Sequence, residues 1–157
     1  MLLRIPRKML RCAIALLLLG VATAKLVKFT PCLNAQELCT VSDVDITPCQ
    51  SPSRCRLEKN QTTNLSFDFT PKFSSATLKT GVYFVNSDTE MGFSDLGPDA
   101  CVYTSCPTVA DTKQTFTYSL YIGKRIPSGL FPIRWRVWDE TDNSKMCCFN
   151  INIKIAK

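Results

Sequence analysis

Through the body of the chain, apolar and polar residues take turns one for one. In TTNLSFDFT (62–70), Thr63, Leu65, Phe67 and Phe69 fall on one side of an extended segment, and Asn64, Ser66 and Asp68 on the other. TFTYSLYI (115–122) puts Phe116, Tyr118, Leu120 and Ile122 on its apolar side. LFPIRWRVW (130–138) sets Phe131, Ile133, Trp135 and Val137 against Arg134 and Arg136. CFNINIKI (148–155) sets Phe149, Ile151, Ile153 and Ile155 against Asn150, Asn152 and Lys154. Successive side chains of a strand point to opposite faces, so a period of two marks half-buried strands. With VSDVDIT (41–47) and SATLKTGVYFV (75–85), six or seven strands are expected, and no 3.6-residue pattern competes with them. Such strands bury their apolar sides against each other as a two-sheet antiparallel sandwich, in one domain.

The first 24 residues read differently. Arg4, Arg7, Lys8 and Arg11 precede a short apolar run, Cys12 to Val21, which ends at Ala22-Thr23-Ala24. A basic head, a greasy centre too short to span a bilayer and an A-x-A ending predict a secretory signal over 1–24 and a working domain over 25–157. The whole chain carries 19 Lys+Arg against 13 Asp+Glu, a formal +6. Loss of the four leader cations leaves 15 against 13, a net +2, which removes the main argument for a nucleic-acid partner. Eight of the nine cysteines remain, an even number in a chain bound for an oxidising compartment.

There is no histidine. Ser-His-Asp and Cys-His nucleophile pairs and H-E-x-x-H zinc sites are therefore excluded, and neither a cofactor nor a metal is expected. Asp139, Glu140 and Asp142 lie in WDETDNS, which reads as a polar hairpin turn and not as an acid/base pair. Cys49 and Cys55 bracket QSPSR, and Cys101 and Cys106 bracket VYTS. Without histidine or C-x-x-C, both pairs read as short disulfide staples. Asn60-Gln61-Thr62 and Asn64-Leu65-Ser66 are glycosylation sequons, and Asn64 is on the polar side of its strand.

Four segments in order, FTPC (29–32), ITPCQSPSRCRL (46–57), GPDACVYTSCP (97–107) with FTYSL (116–120), and W-x-V-x-D (135–139) leading to C-F-x-I-x-I-x-I (148–155), resemble the ML lipid-recognition family, in particular its Niemann–Pick type C sterol-transfer and mite group allergen branch. The likeness runs the length of residues 25–157. It implies an immunoglobulin-like sandwich, stapled by disulfides, whose sheets splay around a hydrophobic cavity. It implies the pairs Cys49–Cys55 and Cys101–Cys106, and Cys32 joined to the last strand, most simply through Cys148. Cys39 and Cys147 depart from the sterol-transfer pattern; they would add a fourth bridge, with a swap of Cys147 and Cys148 as the alternative. The resemblance places Phe93 at the cavity mouth with Met91 beside it, Ile126 and Pro127 across the opening, and Ile122 just inside. Deeper lining would come from Leu65, Phe67, Phe69, Val82, Tyr118, Phe131, Ile133, Trp135, Phe149 and Ile151. Lys124 and Arg125 would flank the mouth. The loop between Ile122 and Ile126 is two residues shorter than the sterol-transfer pattern, which makes lipid binding in general a firmer expectation than sterol preference.

Two functions follow. One is a secreted or lysosomal, non-enzymatic, monomeric carrier of one hydrophobic lipid (a sterol, fatty acid or relative), in transient contact with a membrane or membrane transporter. The other is a disulfide-rich module with a filled core that acts on a receptor through its outer surface. An interior chamber, present or absent, separates them.

Overall fold

The computed structural model describes residues 26–156, apart from positions 34, 36, 87, 88 and 94. The expected leader lies outside the described residues. The described residues form nine strands: β1 (Thr30–Pro31), β2 (Cys39–Thr47), β3 (Cys55–Leu57), β4 (Thr62–Pro71), β5 (Leu78–Asn86), β6 (Thr89–Gly92), β7 (Gln114–Tyr121), β8 (Gly129–Asp139) and β9 (Met146–Ile155). Among the described residues the helical content is a single 3-10 turn, Ala100–Val102. The long strands match the alternating segments. The count exceeds six or seven because β1, β3 and β6 are too short for a period of two to register.

One sheet runs β2-β4-β7 and the other β1-β9-β8-β5-β6. The sheets are antiparallel except that β3 runs parallel to β9, along Ile153–Ile155, on the edge that β1 occupies at Phe149–Asn150. Strand β2 departs from simple alternation: its register against β4 slips between Ser42 and Asp45, where Asp43 adopts φ 50°. The slip leaves Val41, Val44 and Ile46 all buried.

The inner faces meet unequally along their length. At one end Phe67 stacks on Phe116 across the β4–β7 pair, ring centroids 4.9 Å apart. Phe67 also meets Phe149 of the opposite sheet edge-on at 4.9 Å and Trp135 at 5.9 Å. Phe67, Phe69, Phe116 and Phe149 are all fully buried. Each such ring removes a large apolar area from water, and edge-on pairs add about 0.5–1.5 kcal/mol beyond that area.

Four disulfides tie this scaffold: Cys32–Cys148, Cys39–Cys147, Cys49–Cys55 and Cys101–Cys106. Cys147 shares the inward parity of Phe149, and its bridge to Cys39 of β2 crosses between the sheets at the aromatic end. Cys148, one residue on, faces outward and holds the segment that carries β1. The Cys101–Cys106 staple folds its loop over the edge of β7, where the Thr117 N–H donates to the Tyr103 carbonyl and the Thr104 hydroxyl to the Thr115 carbonyl. On the other side the Thr80 N–H reaches the Pro98 carbonyl, so this loop joins β5 of one sheet to β7 of the other.

WDETDNS forms the polar β8–β9 hairpin turn. The Asp139 carboxylate accepts from the Thr141 N–H and hydroxyl and from the Asp142 N–H. The Thr141 hydroxyl first, then the nearby Ser75 hydroxyl and the two backbone N–H groups, hold its pKa down at about 2.

Two outcomes are expected. Replacing both Cys39 and Cys147 with Ala should lower unfolding stability by about 2–5 kcal/mol in denaturant titrations, since the bridge closes a loop of more than 100 residues. Asp139 has a folded pKa below its unfolded value of about 3.9. Its contribution is therefore complete above about pH 5 and lost as pH falls toward 2. The stability gap between wild type and Asp139→Asn should be widest near neutrality and narrow through that acid window; a gap independent of pH would contradict it.

Candidate lipid-binding site

Past the aromatic end, the inner faces change from phenylalanine to branched aliphatic residues. On β9, Phe149 gives way to Ile151, Ile153 and Ile155; on β4, Phe67 and Phe69 give way to Leu65 and Thr63; on β7, Phe116 gives way to Tyr118 and Leu120, with Ile122 just beyond the strand. Here the sheets do not fill each other in. A chamber of about 70 Å³ lies between them, lined by Ile46 of β2, Leu57 of β3, Thr63 and Leu65 of β4, Val82 and Phe84 of β5, Phe93, Tyr118 and Leu120 of β7, Ile122, Ile126, Ile133 and Trp135 of β8, and Ile151, Ile153 and Ile155 of β9. All seven isoleucines of the described residues are in this wall. A β-branched side chain is stiff at χ1 and does not reach across a gap as a phenylalanine does. The wholly filled interior required by the outer-surface alternative is therefore absent from this end.

Nine of the fifteen residues expected to touch a lipid come together in the wall: Leu65, Val82, Phe93, Tyr118, Ile122, Ile126, Ile133, Trp135 and Ile151. Six are elsewhere. Phe67, Phe69 and Phe149 have the inward parity but lie toward the closed end, packed among themselves and against Trp135. Phe131 is half-buried and reaches the wall through Phe84, 5.4 Å from its ring. Met91 is 71% exposed on β6, and Pro127 is exposed in the β7–β8 loop. Lys124 and Arg125 are exposed in that same loop.

The wall also holds Ile46, Leu57, Thr63, Phe84, Leu120, Ile153 and Ile155, which the expected set omitted. Five of these carried the right signal, since Thr63, Leu120, Ile153 and Ile155 fall on inward faces of alternating segments and Phe84 shares the parity of Val82. Leu57 follows the Cys49–Cys55 staple in a three-residue strand, and Ile46 lies beyond the β2 slip; neither position is readable from alternation.

The Phe93 backbone is held at the solvent side of the chamber. Its N–H donates to the Val82 carbonyl, and its ring meets Phe84 edge-on at 6.0 Å. Opposite, Asn60 and Gln61 exchange backbone hydrogen bonds with Ile122, anchoring the turn that carries Ile126. Phe84, Phe93, Tyr118, Leu120, Ile126 and Ile153 are half-buried; the rest of the wall is buried. No charged side chain lines it among the described residues. Burial raises the Tyr118 phenol above its ordinary pKa, so it stays protonated and donates to the Asp95 carbonyl at 3.4 Å. The Trp135 indole N–H donates to the Thr80 hydroxyl at 3.1 Å. Such a wall removes hydrocarbon from water and offers nothing to stabilise a buried charge. Both sequon asparagines, Asn60 and Asn64, are exposed.

A two-sheet sandwich with an apolar chamber at one end and no charge in its wall is a receptacle for hydrophobic molecules. The ML-domain profile matches residues 26–155, and the chain belongs to the ML-domain lipid-recognition family. It is 38% identical over 131 residues to the MD-2-related lipid-recognition protein of Manduca sexta, covering 82% of this chain and 85% of that protein. It is 30% identical over 105 residues to NPC intracellular cholesterol transporter 2 homolog a of Drosophila melanogaster, covering 66% of this chain and 70% of that protein. Among solved structures, a Niemann-Pick type C2 protein from the Japanese carpenter ant shares the fold with a TM-score of 0.69, at 23% identity over 76% of this chain and 93% of that one.

Trp135 is a built-in reporter of this wall. In a Trp138→Phe variant its emission should be blue-shifted and resist iodide quenching, as a buried indole in an apolar site does. Free access of iodide would contradict the placement.

Proposed function

We propose that the protein is a non-enzymatic carrier that takes one sterol, fatty acid or related lipid between its sheets and transports it through an aqueous, oxidising compartment, outside the cell or in the lysosomal lumen. The observation that carries this reading is the uncharged chamber at the isoleucine end. Eight cysteines joined in four pairs fit such a compartment, as does the expected leader over 1–24. Glycans on Asn60 or Asn64 would stand clear of the chamber wall.

The energetics are those of burial. A guest with about sixteen methylenes gains about 13 kcal/mol at about 0.8 kcal/mol each. After an association cost near the lower end of the ~4–15 kcal/mol range, about 8 kcal/mol remains, which is micromolar affinity. Ordinary ligand pockets enclose roughly 300–1,000 Å³, so the chamber widens on loading. Half-buried Leu120, Ile126, Phe84, Phe93 and Ile153 are the side chains free to move outward. A charged head stays at the mouth because nothing in the wall compensates it. There Lys124 and Arg125 meet an acidic head group or the surface of a membrane, where cargo is exchanged with the bilayer or a membrane transporter. The protein acts as a monomer, since one chain builds the whole wall.

Delipidated protein should bind a fluorescent sterol or fatty acid one-to-one. Phe93→Ala should weaken binding several-fold, and Val82→Trp, which fills the chamber, should abolish it while the melting transition survives. Because the wall holds no histidine or carboxylate, affinity for a neutral sterol should vary less than about threefold between about pH 5 and pH 8. Absence of saturable binding across a broad lipid panel would contradict the proposal.

A further inference from the structure

Three side chains in the chamber wall carry a polar atom. The Tyr118 hydroxyl and the Trp135 indole N–H are both spoken for, by the Asp95 carbonyl and the Thr80 hydroxyl. The third is Thr63, only 5% exposed, on the inward face of β4 opposite Leu120 of β7. No hydrogen bond of its hydroxyl is found among the described residues, and the oxygen is not shut away from all space as Asp45 Oδ1 is. It keeps contact with the chamber that Thr63 lines, beside a turn held by backbone bonds between Gln61 and Ile122. Leu57, Leu65, Ile122, Ile126 and Ile155 share this wall with it. A buried water needs two to four polar partners, and among the described residues no second unpartnered polar side chain lines the chamber to help hold one.

An unmade hydrogen bond in such a place is expensive in a way that a missing methyl is not. A guest that presents only hydrocarbon to Thr63 leaves the hydroxyl stranded. A guest with a neutral oxygen at that depth satisfies it, whereas an ionised group would be desolvated against a single hydroxyl and gain too little. We infer that Thr63 is the specificity-determining residue of the chamber, and that it selects lipids carrying a neutral hydrogen-bonding oxygen, such as a hydroxyl or ketone, within their apolar body. This rests on the carrier reading above and adds the chemical class of its cargo. It makes an oxygenated lipid, and not a plain saturated chain, the preferred guest.

The test is competition against a bound fluorescent fatty acid with matched pairs: octadecanoic acid against hydroxyoctadecanoic acids with the hydroxyl walked along the chain, and cholesterol against 25-hydroxycholesterol. In the wild type, at least one hydroxylated compound should bind about tenfold more tightly than its parent, the ratio expected for one satisfied hydrogen bond. Thr63→Ser should keep that preference. Thr63→Val should bring the ratio to one or below while binding the parent compounds at least as well, with its melting transition checked in parallel. Parents that bind with no hydroxylated compound preferred, or a preference that survives in Thr63→Val, would overturn the inference and leave the carrier reading standing. If no parent or hydroxylated compound binds the wild type, the carrier reading fails and the inference fails with it. Should Thr63→Val not fold, the wild-type ratios and Thr63→Ser still decide the matter.

Discussion

The rest of the structure depends on the contact between the sheets at one end. There Phe67 and Phe116 stack, Phe149 and Trp135 close on them from the opposite sheet, and the Cys39–Cys147 bridge fixes the separation covalently. Interiors normally pack to crystal-like density, and a stretch that does not forfeits dispersion contacts along its walls. The aromatic clamp and its disulfide offset that loss by concentrating burial and constraint in half of the sandwich. The other half can then stay apart without the sheets separating, and the isoleucines that line it are too stiff and too short to close the gap.

This division of labour explains the placement of the remaining staples. Cys101–Cys106 shapes the loop that bridges β5 and β7 and shields the edge of the smaller sheet. Cys49–Cys55 delivers β3, and with it Leu57, to the aliphatic end of β9. Cys32–Cys148 pins the outer edge without entering the interior. The chamber is thus bounded by elements that are each tied down independently, while the side chains at its mouth are half-buried.

Much of this was legible in the sequence, and the limit has a clear physical form. Alternation reports which face of a strand a residue occupies, so the inward sets of β4, β7, β8 and β9 were readable directly. It does not report how far along the sandwich a residue lies. Alternation therefore groups Phe67, Phe69 and Phe149 with Leu65 and Ile151, whereas the structure puts them in the filled half. Depth is legible on β9, where Phe149 gives way to Ile151, Ile153 and Ile155, and less so on β4 and β7, where phenylalanine gives way to Leu65 and Leu120; β8 runs the other way, with Phe131 beside Ile153. Met91 pairs with Phe84 and Pro127 follows Ile126, so both adjoin wall residues, but they are exposed on strand β6 and a loop that alternation cannot orient. Leu57 and Ile46 depend on a disulfide-held short strand and a register slip, both set by tertiary contacts.

The central claim is that a lipid occupies the space between the sheets at the isoleucine end. Because every isoleucine of the described residues lines that space, selective 13C labelling of isoleucine δ1 methyls places a probe on the chamber and nowhere else in the described fold. With a bound lipid, the account predicts intermolecular NOEs from the guest to these methyls, and none to labelled Val41, Val44 or Val137 at the closed end. Saturable binding with no NOE to any isoleucine methyl would contradict it.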